Sequence, residues 1–466
     1  MKQAATLLAI ILTLGLLSSL VEAKELTLDD CISLALQNRA TIIRARGAES
    51  QAGAAQRSAL GAFLPNVRAA YSYSKGKQMD INPPQRTQTG EIASADSIRV
   101  IDWEEADTMY AVYETSTPAY SYYDEQDEGP SKSWFIGANL DVLNVGNWFD
   151  YAAASAAKAS AKLDVLASEQ DLITAVKVSY YAYLAAVENV AVQQDAVKRA
   201  DEQLKLIESR FELGSASKSD VLRQKVQFGN DQLSFLRANN AVIQSKADLA
   251  YTVGIDPRED NQFSSDYRVS EYVGTLDEAI GFSMEHNPRL LSTEKTADRR
   301  KHSLRAAKSG YLPTLSASAD WSKFNGTQAY PYAIDYSNKS YSIGFSVSYN
   351  IFDGFLREQR VNSAGVDRNN ALADLADARN STIAVVKSSY LEIDLLKKQV
   401  EVSTENVAAA EEDFRITQEK YNLGAATILD LLTSQVSLKE AQVALIRVQF
   451  DLNLAIARLE NAMGKM

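Results

Sequence analysis

The chain is written twice. Thr27-Leu28-Asp29-Asp30 recurs as Thr275-Leu276-Asp277-Glu278, and Phe63-Leu64-Pro65 as Tyr311-Leu312-Pro313, both at an offset of 248 residues. Ser179-Tyr180, Leu213-Gly214, Asp220 and Gly254 recur as Ser389-Tyr390, Leu423-Gly424, Asp430 and Gly464, at an offset of 210. A duplicated chain folds as related units that share an interface, so one local structure must explain each motif in both places. The 38-residue change of offset puts an insertion in the first copy between Lys75 and Ser133, opposite the shorter segment from Phe324 to Ser340. The copies run from 24 to 255 and from 272 to 466, with 256–271 as a linker.

Each copy opens on a helix start. Thr27 and Thr275 can cap, with Asp30 and Glu278 three residues on completing a box. A second helix follows in each copy, introduced in the second by Asn287-Pro288, and the pair should run to about Ala62 and Gly310. Pro65 and Pro313 then stop the helices and mark the transition to strands.

Four strands are expected, at about 66–75, 133–143, 314–323 and 341–350. One face of the first carries Val67, Ala69, Tyr71 and Tyr73, the other Arg68, Ala70, Ser72 and Ser74. Trp134, Ile136, Ala138, Leu140 and Val142 alternate likewise with Gly137, Asn139 and Asp141, and Leu315, Ala317, Ala319 and Trp321 with Ser316, Ser318, Asp320 and Ser322. The fourth strand alternates Tyr341, Ile343, Phe345, Val347 and Tyr349 with small polar residues. Strands of about ten residues, apolar on one side and small or polar on the other, fit an outer-membrane barrel wall. A half-buried soluble hairpin shares the pattern, and the repetition together with the export signal described below favours the membrane. Tyr71, Trp134, Ile136, Trp321, Tyr341 and Phe345 are the expected lipid-facing residues. Four strands do not close a barrel, and three subunits would pool about twelve, enough for a pore.

After each hairpin a helical pattern without proline runs from about Trp148 to Leu213, and from about Phe355 to Leu423. At 1.5 Å per residue each helix could reach about 100 Å. Contact seams are read through Val176, Tyr180, Tyr183, Val187, Val190, Ala191 and Val197, and through Val386, Tyr390, Ile393, Val400 and Val407. Tyr180 and Tyr390 are read as packing. Leu213-Gly214 and Leu423-Gly424 stop these helices, since glycine takes the left-handed conformation of a C-terminal cap. Polar turns containing Ser217 and Thr427 lead into returning helices that end near Gly254 and Gly464.

The first residues read as an export signal: Lys2, an apolar run from Leu7 to Leu20, and a small-residue site at Val21-Glu22-Ala23, giving 1–23 as signal peptide. No later stretch approaches the roughly 20 apolar residues of a spanning helix, so any further crossing falls to strands. Cys31 has no internal disulfide partner and reads as a buried, unreactive thiol. A net charge of -12 without a basic face argues against nucleic acid. His286 and His302 form no paired ligand set, so no metal, cofactor or catalytic centre is expected. The insertion from Gly76 to Lys132 holds 12 acidic and 4 basic residues and reads as a solvated outer loop.

Leu28-Asp29 with Ala35-Leu36-Gln37-Asn38, Phe63-Leu64-Pro65, Phe211-Glu212-Leu213-Gly214 with Asp220-Val221-Leu222, and Tyr421-Asn422-Leu423-Gly424 with Asp430-Leu431-Leu432 together resemble the TolC-like outer membrane efflux proteins. The resemblance covers nearly all of the mature chain. It implies a mostly α subunit with a small transmembrane β part, in a trimer whose twelve-stranded β-barrel continues as a twelve-helix periplasmic α-barrel. It also implies a passive, non-enzymatic exit duct of a tripartite efflux pump or a type I secretion system. The partners would be a periplasmic adaptor, an inner-membrane transporter and outer-membrane lipid.

The resemblance further places Asp220, Tyr421 and Asp430 at the periplasmic gate, and adaptor docking at the turns of Leu213, Gly214, Ser217, Leu423, Gly424 and Thr427. Ala426 and Thr433 stand where some relatives carry Arg and a second Asp. An anionic ring from three copies of one Asp would favour cations. Helix capping by Asp220 and Asp430 is the competing reading. A periplasmic coiled-coil scaffold or adaptor is the alternative function, and it has no use for strands with lipid-type faces.

Overall fold

The computed structural model describes residues 25–75, 77–78, 126–127, 130–259, 261–265, 272–328 and 334–465. The expected signal peptide and nearly all of the acidic insertion lie outside these residues, as does part of the linker.

The elements, in order, are α1 (Leu28–Asn38), α2 (Ala40–Gly61), β1 (Asn66–Ser74), β2 (Ser131–Leu143), α3 (Val145–Glu212) and α4 (Lys218–Val253). The second copy repeats them as α5 (Leu276–His286), α6 (Pro288–Ser309), β3 (Thr314–Gln328), β4 (Ile334–Ser348), α7 (Leu356–Asn422) and α8 (Ile428–Met463). Helix lengths agree across the copies: 11 and 11, 22 and 22, 68 and 67, 36 and 36 residues. A two-residue ladder, Lys77–Gln78 with Gln126–Asp127, sits at the base of the insertion.

Local chemistry accounts for the boundaries. Thr27 and Thr275 each accept a bond from the backbone N–H three residues on, while Asp30 and Glu278 reach back to the cap backbone. The Asn287 side chain accepts from the N–H groups of Arg289 and Leu290, with Pro288 in the first turn. Gly254 and Gly464 close α4 and α8 at φ +83° and +79°.

The chain forms two compact units, one of helices and one of strands, the latter drawn from Gly61–Asn144 and Leu312–Ile351. The strand unit is a four-stranded antiparallel sheet in the order β1-β2-β3-β4, so β1 and β4 are open edges. The second hairpin is longer than expected, because β3 continues to Gln328 and β4 begins at Ile334. The segment from Phe324 to Ser340 is therefore mostly paired strand. Asn325 pairs with Ser337, whose hydroxyl donates to the Asn325 side chain at 2.7 Å, and Phe324 stacks 5.7 Å from Tyr336. Cross-strand pairs of this kind sustain a ladder after apolar alternation has ceased.

In the helical unit one core gathers Cys31, Ala35, Val176, Tyr180, Leu249, Val253 and Phe450, and a second gathers Val386, Ile393, Ala455, Ile456 and Leu459. The Tyr180 hydroxyl donates to the Ser264 carbonyl at 2.8 Å and that of Tyr390 to Gly274 at 3.3 Å, so this repeated tyrosine pins each copy's adjoining segment. Burial pushes the Cys31 thiol up to about 12. That keeps it protonated and unreactive at neutral pH. The seam reading holds for Val176 and Tyr180, with Tyr183 packed against them, and in the second copy for Val386 and Ile393, with Tyr390 and Val400 packed against them. Beyond Tyr183 the buried face of α3 moves to Leu184, Ala196, Ala200, Leu204 and Ile207, and Ala191 is exposed. No single stripe describes α3, because it packs against four helices, α1, α4, α6 and α8.

The copies interlock. Helix α6 lies between α3 and α7, with Leu290 and Ala297 packed against Ala371 and Leu375 and the Ser160 and Ser292 hydroxyls 2.9 Å apart. Its counterpart α2 buries only Ile42 and leaves Ile43 and Leu60 exposed. Among the described residues no helix is long and apolar enough to cross a membrane.

Candidate functional site at the helical hairpin tips

Each long helix ends in the same turn. Gly214 and Gly424 sit at φ +76°, a conformation glycine takes without penalty. Ser215 and Ala425 then donate their N–H groups to the carbonyls of Arg210 and Lys420, both at 2.8 Å. The leucine before each glycine, Leu213 and Leu423, stands 84% and 85% exposed, an unusual state for two leucines in equivalent places.

The caps differ from expectation in one detail. Ser217 and Thr427, not the aspartates, are the N-caps; Asp220 and Asp430 occupy the third helical position and complete capping boxes. Asp430 Oδ2 accepts from the Thr427 hydroxyl at 2.7 Å and from the Thr427 N–H at 2.9 Å. Asp220 Oδ2 does the same with Ser217 at 2.7 and 3.2 Å. The bonds from Thr427, side chain first and then backbone, hold the Asp430 carboxyl below its ordinary value. The stabilisation this gives the start of α8 is therefore present above the ordinary carboxylate pKa and is lost as pH falls through the lowered folded value.

Of the three expected gate residues, the structure sets one, Tyr421, against a residue that was not anticipated. Arg210, in the last turn of α3, donates to the Asn422 side chain at 3.1 Å and to the Tyr421 carbonyl at 3.4 Å. Its guanidinium lies 5.1 Å from the centre of the Tyr421 ring. Burial raises the Tyr421 phenol, Arg210 opposes that, and Asp220 adds to it, so first-copy charges act on a second-copy tyrosine. Beneath this contact Ile207, Ile428 and Leu431 are buried together, with Phe414 and Val221 against them. The two tips are thus one small folded unit with an apolar floor. Asp430 stands apart from the Arg210 contact and is exposed. Position alone marked Arg210: a cation in the last turn of a long helix complements its dipole and is free to reach sideways.

A further inter-copy contact lies farther along the returning helices. Lys439 on α8 pairs with Asp231 on α4 at 2.7 Å, and Gln227 donates to the other carboxylate oxygen at 2.9 Å. Asp231 is 1% exposed.

In the strand unit, Tyr71 pairs with Trp134, Ile136 with Trp321, and Trp321 with Tyr341, so the expected lipid-facing residues share one face. Along β4 exposure reaches 86% at Tyr341, 81% at Ile343 and 75% at Phe345. The opposite face is laced by serine pairs, Ser72 with Ser133, Ser316 with Ser346 and Ser322 with Ser340, at 2.6 to 2.8 Å. A bulge between Asp141 and Leu143 takes Val142 out of the alternation expected for it. Pro65 and Pro313 each precede the first residue of a strand. His286 stacks on Phe282, and no group of metal-ligating side chains occurs among the described residues.

Residues 31–254 and 280–465 match the sequence model of the family described as Outer membrane efflux protein. The chain is 22% identical over 351 residues to outer membrane protein TolC of Vibrio cholerae, covering 73% of this chain and 79% of that protein. It is 22% identical over 308 residues to TolC of Escherichia coli, covering 64% of this chain and 62%, under two thirds, of the relative's own length. Among solved structures, the CmeC outer membrane channel of Campylobacter jejuni superposes with a TM-score of 0.74 at 16% identity, over 94% of this chain and 85% of that one.

Proposed function

The chain belongs to the outer membrane efflux protein family, and from that premise we propose that it is the outer-membrane exit duct of a tripartite efflux pump or type I secretion system. It conducts substrate passively and catalyses no reaction. The observation that carries the reading is the open four-stranded sheet with one exposed apolar face, in a chain whose helices reach about 100 Å. A periplasmic scaffold would leave that face without a use.

Three subunits complete the wall. The duplication supports this, because α6 lies between α3 and α7 whereas its counterpart α2 has one buried residue. Placing α2 against the α7 of a neighbouring subunit makes the copies equivalent. The same rule assigns the exposed Leu222, Val226, Leu233 and Leu236 of α4 to a neighbour's α7, which exposes Leu391, Leu395 and Val402. Edge strands β1 and β4 likewise need a partner. Fractionation should find the protein in the outer membrane as a trimer that dissociates on heating. A soluble periplasmic monomer would refute the duct.

At the tips, Leu213 and Leu423 present exposed apolar knobs for a periplasmic adaptor, and Gly214, Gly424, Ser217 and Thr427 hold the turns that display them. Ser217-Lys218-Ser219 differs from Thr427-Ile428-Leu429, so docking grooves should alternate between two kinds. Asp430, capping and exposed at once, is the candidate for the anionic ring, while Arg210 ties the tips closed through Tyr421 and Asn422, and Asp220 completes the capping box of α4. In planar bilayers, Asp430→Ala should weaken trivalent-cation block at least tenfold, and Arg210→Ala should raise conductance. Unchanged block would sink the ring, and unchanged conductance the tie.

A further inference from the structure

The acidic chain concentrates unpaired positive charge at one end of its helical unit. From Arg299 to Ser309, α6 carries Arg299, Arg300, Lys301, Arg305 and Lys308 and no carboxylate, against a net charge of -12 for the whole chain. Arg300 is paired, to Asp367 at 3.3 Å. Lys301, Arg305 and Lys308 are exposed, have no ion-pair partner among the described residues, and stand at i, i+4 and i+7 on one helix face.

The neighbouring helix ends meet at the same place. The Arg305 guanidinium lies 6.0 Å from the Phe149 ring at the start of α3, and that of Arg357 lies 5.0 Å from the Tyr311 ring, joining the start of α7 to the end of α6. Gln56 of α2 bonds Ser155 of α3 at 3.2 Å, which brings exposed Arg57 to this end as well.

An independent feature marks the same end. Phe352 and Phe355 are 70% and 67% exposed and pack edge to face, 5.5 Å apart. Phe355 holds φ +68°, a left-handed conformation that costs a bulky side chain energy and fixes where this aromatic pair stands. Exposed aromatics and exposed cations at the same helix ends are the composition of a bilayer interface. Covalent connection supplies the depth: only five residues lie between Lys308 and Thr314, the first residue of β3, which limits the gap to about 20 Å.

We propose that Lys301, Arg305 and Lys308, flanked by Arg57, form a basic collar that binds the phosphates of anionic phospholipids in the periplasmic leaflet of the outer membrane. The inference rests on the strands crossing that membrane. The collar would hold the helical unit at a fixed depth, where zwitterionic lipid offers no net charge to the cations.

The test uses full-length protein in nanodiscs of equal phosphatidylcholine and phosphatidylglycerol, with retained lipids counted by mass spectrometry after release. At low salt the protein should retain phosphatidylglycerol over phosphatidylcholine by about tenfold. Lys301→Gln/Arg305→Gln/Lys308→Gln should bring the ratio within about twofold of unity, as should roughly 0.5 M salt. Because Arg305 also packs on Phe149, the Lys301→Gln/Lys308→Gln variant keeps that contact and should give an intermediate ratio. An unchanged ratio in both variants overturns the collar. So does an altered ion selectivity of the pore with no change in lipid ratio, which would assign this face to the lumen. Failure of the parent protein to enter nanodiscs at all would instead overturn the membrane reading beneath it.

Discussion

Replacing Lys439 with methionine is expected to cost about 3–5 kcal/mol of folding stability. The cost lies in what is left behind. Asp231 is 1% exposed and meets the Lys439 ammonium at 2.7 Å. Without the lysine, its carboxylate keeps one amide donor, Gln227, and almost no water. Desolvating an ion is repaid by a partner at this distance and not by a single amide. The double variant Lys439→Met/Asp231→Leu should recover most of the loss, because a well-packed apolar pair avoids desolvation altogether. Denaturant unfolding followed by helical circular dichroism measures both. A single-variant loss below about 1 kcal/mol would show that water reaches Asp231, and a double variant no better than the single would show that the methionine is badly packed. The pair joins α4 of one copy to α8 of the other, so the damage should fall on the union of the hairpins and leave each hairpin helical.

How much of this was legible in the sequence depended on the range of the interaction. Capping boxes at Thr27 and Thr275, the Asn287-Pro288 start and the left-handed glycines 214, 254, 424 and 464 are decided within four residues, and all stand where the sequence puts them. The strand faces were legible because alternation survives duplication, so that two noisy copies agree. The seam of α3 was readable near Tyr180 and misread beyond Tyr183, since a helix with four neighbours has no one buried stripe. The paired extension of β3 and β4 was missed because Asn325 and Ser337 stabilise a ladder without apolar alternation. Arg210, Lys439 and Asp231 were missed for a common reason. Each joins residues more than 200 positions apart in the chain, and one charge in a helical pattern is indistinguishable from a solvated one.

Placing arginine at Ile343 or Phe345 should cost about 2–4 kcal/mol each, whereas arginine at Ser342 or Ser346, one residue away, should be tolerated. The contrast follows from the period of a strand: successive side chains point to opposite faces, so in the proposed barrel wall neighbours one position apart would meet lipid and lumen. Ile343 and Phe345 share the face that includes Trp321, Tyr341, Ile136 and Tyr71, and their exposure of 81% and 75% leaves hydrocarbon as the environment such side chains require. Ser342 pairs with Asp320, and Ser346 with Ser316, on the face laced by hydroxyl bonds. An arginine there meets water and a nearby carboxylate, while at Ile343 the guanidinium must deform the bilayer or leave the strand unfolded. Refolding into lipid vesicles from urea gives the free energies, and the yield of heat-dissociable trimer in the outer-membrane fraction gives the cellular counterpart. Equal damage from Ser342→Arg and Ile343→Arg would mean that both faces are packed. Tolerance of Ile343→Arg would place the apolar face against protein or water and remove the physical basis for a shared barrel. The expected result also carries a second signature, since Ser342→Arg should shift the pore toward anions while leaving the wall intact.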